Sequence, residues 1–299
     1  MKSEISIRDT KNELPEDKDV EIILNDYNRD FCNEFMNMPY DKRIFKNNIN
    51  SIVYQETPDE EMGKDYASYR PLENVIKYKK DEYKNSIYHE LLHASSTFVK
   101  GDSICSGFMQ KNGNSLIGIG ITEGFTCFFD DKYFAKYRKD PDSLQYSYPI
   151  SKNLISYFNE FITVEEMAEY YFKADLYGLI MRLSRYVDPR RVVRMLLAFD
   201  GIFKYEVGFE KCIFDAMHYY DYVTNFLVEY NLNVLNDAYF KKEISKEKYV
   251  ELLEQIRELT YNKIYAIRIP FLRTLHMSNR RFKHFNDNSK RYVLSKLNK

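Results

Sequence analysis

Tryptophan is absent from this 299-residue chain, and cysteine, histidine, proline and glycine are scarce, at 4, 5, 8 and 10 residues. The four cysteines, Cys32, Cys105, Cys127 and Cys212, lie far apart and form no Cys-x-x-Cys pair. That excludes a small disulfide framework and reads as reduced thiols in a cytoplasmic protein. No apolar run approaches the roughly 18 residues that a membrane span needs. Residues 1–9 lack the apolar stretch of a secretory signal, which argues against export by that route. Charge of one sign is also missing. Lys and Arg number 44 against 45 Asp and Glu, a net −1, which does not suit a wholesale nucleic-acid binder. There is no internal repeat and no low-complexity segment.

What is present is globular in character. Hydrophobic residues make up 44% of the chain, enough for a sizeable core in one large or two modest domains. With 27 Tyr and 21 Phe, a single aromatic carries little functional weight. The charge is uneven along the chain. Residues 1–65 carry 16 acids and 9 bases, whereas residues 261–299 carry 10 Lys or Arg and the one acid Asp287.

Charge and Pro15 make residues 1–20 a loose N-terminal arm. Ile22, Ile23, Tyr27, Phe31 and Phe35 recur at helical spacing and predict a helix over 20–38, closed by Pro39. Short strands are predicted at 50–55 and 74–78, with an acidic loop over 57–65 between them. Asp81 is placed to cap a helix running to about Val99. Asn112-Gly113, between apolar segments at 104–110 and 115–121, predicts a type I′ hairpin. Thr122 then reads as the N-cap of a helix burying Phe125, Phe128, Phe129 and Tyr133. Beyond Pro141 and Pro149, helices are predicted at about 151–161, 164–185, 189–199, 206–229, 231–240 and 245–267, with Pro189 at the first helical position after Asp188. The expected class is α+β, predominantly α. A loose arm (1–20) precedes a mixed catalytic part (21–140), and a helical part (141–299) packs on it.

The chemically specific stretch is His89-Glu90-Leu91-Leu92-His93. On a helix, residues i and i+4 lie one above the other, so two imidazoles can reach a single ion about 2.0–2.1 Å away. Glu90 stands about 100° round the same helix, where a general base can reach water beside that ion without ligating it. Two idle surface histidines would show the same pattern, so a third ligand is the deciding feature. Of the remaining histidines, His218, His276 and His284 lie far along the chain. Glu123 follows His93 by 30 residues, after the predicted hairpin, and is the preferred third ligand; Asp130 and Asp131 are rivals on the same helix.

His89-Glu90-x-x-His93, followed by a hairpin and Gly118-Ile119-Gly120-Ile121-Thr122-Glu123-Gly124-Phe125-Thr126, resembles the gluzincin group of zinc metallopeptidases. The likeness covers about residues 50–135. It implies a zincin-like catalytic fold, one Zn2+ held by His89, His93 and Glu123, and Glu90 as catalytic base. Two positions depart from the group: Thr122 stands where Asn is common, and Cys127 where an acidic residue often orients the metal site. Cys127 reads either as a small core residue or as a group approaching the metal.

The resemblance implies a metallopeptidase that hydrolyses a peptide or protein substrate. Zinc lowers the pKa of its water to ≈7, and Glu90 takes the proton and delivers it to the leaving amine. Tyr146, Tyr148 and His218 are candidates for the donor that stabilises the oxyanion. The small sheet can bind an extended peptide along its edge, and the loop over 60–69 can overhang that cleft. Two alternatives remain: a metal-binding zincin-fold protein that turns nothing over, and a zinc hydrolase of a non-peptide amide. The basic C-terminus, with Arg280-Arg281-Phe282-Lys283-His284, leaves nucleic acid as a minor possibility. The pattern is silent on oligomeric state.

Overall fold

Three short strands come first: β1 (Val53–Glu56), β2 (Ala67–Arg70) and β3 (Val75–Tyr78), with one helical turn, α1 (Asp59–Met62), between the first two. This is a computed structural model, and it describes residues 48–49, 51–63, 65–79, 86–135, 148–158, 162–209 and 212–257. The arm, the 20–38 helix, Asp81, Tyr146, His276 and His284 lie outside the described residues. β3 is central, parallel to β1 and antiparallel to β2, so that Tyr54 and Tyr69 both register with Ile76. Alternation along β3 buries Ile76 and Tyr78. Strand β2 went unforeseen because Ala67-Ser68-Tyr69-Arg70 has no β-branched residue; pairing with β3, a non-local contact, makes it a strand.

The His helix, α2 (Ile87–Ser95), is shorter than expected at both ends, and 97–100 is strand rather than helix. Its last turn is closed by hydroxyls. Ser95 and Ser96 donate to the Leu92 carbonyl, and Thr97 donates to that of His93. The Asn48 amide donates to the carbonyls of Ala94 and Thr97, at 2.8 and 2.7 Å. With those carbonyls taken, the chain turns out of the helix. β4 (Thr97–Lys100), β5 (Ser103–Ser106), β6 (Met109–Asn112) and β7 (Ser115–Ile117) form a four-stranded antiparallel meander where one hairpin was expected. The final turn also differs. Asn112 pairs with Ser115, so the loop is Gly113-Asn114, with φ of 55° at Gly113, the first central position, as a type II′ turn requires.

Six helices follow: α3 (Ile119–Phe134), α4 (Pro149–Phe158), α5 (Val164–Phe172), α6 (Leu176–Leu183), α7 (Pro189–Glu206) and α8 (Ile213–Phe240). A further helix spans 246–257. The class is mixed α+β and mostly helical. The helix expected over 164–185 is two helices, because Ala174 takes φ of 49° and Asp175 starts the next one by accepting from the Gly178 N–H at 2.7 Å. The helices expected at 206–229 and 231–240 instead join as α8, with Val223, Phe226, Leu227 and Tyr230 on one buried stripe. Pro189 does open α7, with the Asp188 carboxylate accepting from Arg190 N–H.

One continuous core joins these elements, from Tyr54 and Ile76 through Leu91 and Leu92 on α2, Phe125 and Phe129 on α3, to Leu196, Phe199 and Phe226 on α7 and α8. Helix α3 lies at its centre, packed on α4 and α7. It begins at Ile119, four residues before the expected start, so Thr122 is inside its first turn rather than its cap. The cap comes from α7: the Asp200 carboxylate accepts from Gly118 and Gly120 N–H groups, both at 2.9 Å. The start of α4 is treated the same way by Glu206 at the end of α7, which accepts from the Ile150 N–H at 2.6 Å and from the Ser151 hydroxyl at 2.6 Å. Close packing goes with these caps. A Cβ on Gly120 would stand 2.2 Å from the Phe199 carbonyl oxygen.

Two outcomes follow for stability. Chemical denaturation of Gly120→Ala should show a loss of about 2 kcal/mol or more from overpacking against backbone. Gly113→Ala, in open space at positive φ, should cost only about 1 kcal/mol. Burial pushes the Glu206 carboxyl up to about 7 from 4.5, against its bonds to Ser151 and Ile150. A folded-state pKa above the unfolded one stabilises at low pH, and that stability is lost as pH rises between those two values, by at most about 3 kcal/mol. Glu206→Gln should flatten this part of the melting-temperature profile; an unchanged decline would show that Glu206 is not its source.

Candidate metal centre

His89 and His93 stand one turn apart on α2, beside the core residues Leu91, Leu92 and Ala94, and face α3. Thr97 holds the His93 carbonyl at 2.6 Å, which ties the last turn of the helix to the meander. Glu123 lies in the second turn of α3. Its neighbours Gly120 and Gly124 let that helix approach the backbones of Phe199 and Ser151, so the absence of side chains on either side sets how deep Glu123 sits.

The three side chains converge. His93 Nε2 is 3.1 Å from His89 Nε2; Glu123 Oε2 is 3.2 Å from His89 Nε2 and 3.4 Å from His93 Nε2. Ligands about 2.0–2.1 Å from a tetrahedral zinc are separated by about 3.3 Å, the edge of that tetrahedron. All three separations are near this value. The donor set, two imidazoles and one carboxylate, is largely buried and is one that zinc takes in hydrolytic sites. The residues present therefore fit a zinc ion with one position left for water.

Charge is balanced within the group. Burial opposes ionisation of Glu123, but His93 and His89 reverse this and hold its carboxyl well below the usual carboxylate range. Burial likewise opposes charge on His89, and Cys127, Glu123 and Glu90 outweigh it, raising this imidazole well above its ordinary value.

No family model, curated protein or solved structure matches this chain. The site is accordingly read from its own chemistry.

Glu90 is buried on α2, outside the three-residue cluster, and its Oε2 accepts from the Tyr69 backbone N–H on edge strand β2 at 2.7 Å. Cys127 is buried one turn beyond Glu123, with Sγ 3.8 Å from His89 Nδ1. It faces the ring nitrogen opposite the one in the cluster, so it orients His89 rather than joining the donor set. Among the described residues, Asp130 and Asp131 do not join the cluster; Asp131 pairs with Lys152 on α4. Of the oxyanion candidates, Tyr148 is brought to the site, its ring centre 6.5 Å from that of His89. Burial, and then the charges of Glu123, Cys127 and Glu90, push its phenol far up, so it keeps its proton. His218 is exposed on α8, its ring beside Tyr219.

Sequence reading missed the Tyr69 N–H and the Asp200 cap. Neither carries a local signal: the first is a main-chain group on an unforeseen strand, the second lies 80 residues from Gly120. The phenol of Tyr148 was one among 27.

Metal analysis after chelator-free purification should give about one zinc per chain, and under about a third of that in His93→Ala or Glu123→Ala. A proton on His89 competes with the metal. Zinc affinity in a chelator competition should therefore fall as pH is lowered through the neutral range; a flat profile would exclude imidazole ligation.

Proposed function

We propose that this chain is a zinc-dependent metallopeptidase of the gluzincin type, with a zincin-like catalytic part. The observation that carries the reading is the triangle of His89 Nε2, His93 Nε2 and Glu123 Oε2, whose sides of 3.1–3.4 Å match a tetrahedral zinc. Bound zinc supplies an acidified water and polarises the substrate carbonyl. His89, His93 and Glu123 would hold the ion, and Cys127 would keep the His89 ring in place. Glu90 accepts the proton from the attacking water, then donates it to the nitrogen of the leaving amine. Tyr148, half-buried and kept protonated by desolvation and the nearby acidic groups, donates to the oxyanion that forms at the carbonyl. Edge strand β2 runs beside Glu90, which takes the Tyr69 N–H, and its other outward main-chain groups are the ones left for an extended peptide.

The substrate is a peptide or protein, and the working compartment is the cytoplasm, a reading supported by the unpaired thiols of Cys105 and Cys127. Among the described residues no helix is long and apolar enough to cross a membrane. A second reading, metal binding without turnover, draws on Cys127, a weaker hydrogen-bonding partner for His89 than a carboxylate.

Hydrolysis of a broad peptide library by the zinc-loaded protein tests the first reading. Glu90→Gln should retain zinc while kcat falls by roughly 10²–10⁴-fold. Tyr148→Phe should lower kcat by about 10²-fold with little change in KM. Wild type and Glu90→Gln equally inert, both loaded with zinc, would establish the second reading instead.

A further inference from the structure

Helix α7 reaches the site through Phe203, which packs on Tyr148, and two of its carboxylates close the starts of α3 and α4. Asp200 does so for α3, four residues before Gly124. Glu206 does so for α4, and this second contact concerns a residue with a chemical role. Helix α4 opens at Pro149, which has no N–H, so the first free donor of its opening turn is Ile150 N–H. Glu206 Oε1 accepts from it at 2.6 Å, and Oε2 accepts the Ser151 hydroxyl at 2.6 Å; the Ser151 N–H is 3.4 Å from both oxygens.

The residue just before this turn is Tyr148. Its ring centre is 5.2 Å from that of Phe203, one turn before Glu206 on α7, and 6.5 Å from that of His89. On the far side, Ser151 is fully buried against α3: a Cβ on Gly124, next to Glu123, would stand 2.8 Å from the Ser151 carbonyl oxygen. The opening turn of α4 is thus held between the Glu helix and the end of α7. Proline fixes φ at the joint, so the direction in which Tyr148 leaves the helix follows the orientation of that turn. The Glu206 carboxyl group, bonded to both Ile150 and Ser151, is the α7 side chain that sets this orientation.

We propose that Glu206 is a positioning residue: by gripping the first turn of α4 it fixes Tyr148 over His89. The role of Tyr148 as donor rests on the peptidase reading, whereas its placement by Glu206 does not.

The chain has no tryptophan, so Tyr148→Trp puts a single indole, excitable beyond the absorption of the tyrosines, at the position in question. In this background the emission should be that of a half-buried indole. Adding Glu206→Ala should shift it to the red and increase iodide quenching, with zinc content unchanged. Adding Glu206→Gln, which keeps an acceptor for Ile150 and a polar partner for Ser151, should restore the parent spectrum. Activity gives the second arm. Glu206→Ala should lower kcat by tenfold or more with KM altered less than about twofold, and the Tyr148→Phe/Glu206→Ala pair should be no slower than Tyr148→Phe alone, since both remove one function. Emission and quenching unchanged from the parent in folded Glu206→Ala, or additive losses in the pair, would overturn the proposal. If the wild type hydrolyses no peptide, the peptidase reading fails by itself, and the fluorescence arm, which needs no substrate, still decides the placement of Tyr148.

Discussion

The carboxylate of Asp200, accepting the Gly118 and Gly120 N–H groups, is the contact on which the geometry of the His89–His93–Glu123 cluster depends. A helix leaves its first N–H groups without internal partners, and its N-terminus carries partial positive charge. The segment before α3 has no acid of its own, since 115–122 reads Ser-Leu-Ile-Gly-Ile-Gly-Ile-Thr. The anion comes instead from α7, in the helical half of the chain. Its position decides where α3 begins, and the phase of α3 decides that Glu123 turns toward α2. Burial pushes the Asp200 carboxyl up against the Gly120 and Gly118 hydrogen bonds, as expected for a group enclosed to serve as a cap.

The same helix explains why the small mixed part and the helical part form one body. Phe199 lies in the core beside Asp200, and Glu206 closes α4 one and a half turns later. Gly120 and Gly124 remove the side chains that would hold α3 off the backbones of Phe199 and Ser151. The two glycines and the two carboxylates are complementary. Without the close approach, the carboxylates could not reach their N–H donors; without the donors, two burial costs would stand uncompensated. Within the cluster, the electrostatics have the same character: Glu123 is held ionised by the two imidazoles against the effect of its burial.

Much of the site was legible in the chain because its signals are local or periodic. His89 and His93 are four residues apart, which on any helix makes them neighbours, and Glu90 follows from the same period. Glu123 was found by the requirement for a third ligand and by the turn signal before it. The turn itself was misplaced by one residue: Gly113 supplies positive φ at the first central position, and the choice between two turn types depends on cross-strand register. β2 and the short form of α2 escaped notice for a related reason. Ala67 to Arg70 becomes a strand through β3, and α2 stops at Ser95 because Asn48 and Thr97 take its last carbonyls.

The sequence alone determined the donor types, their spacing on one helix, the mostly helical α+β class and the opening of α7 at Asp188-Pro189. Each of these depends on residues within a turn or two of one another. Tertiary structure decided which carboxylate completes the cluster, that Cys127 faces Nδ1 of His89 rather than the donor set, and that Tyr148 is the phenol brought near His89. It also supplied the caps of α3 and α4 from a helix up to 82 residues away. Those choices are relations between helix ends and side chains distant in sequence, and only packing around a shared core brings such groups within hydrogen-bonding distance.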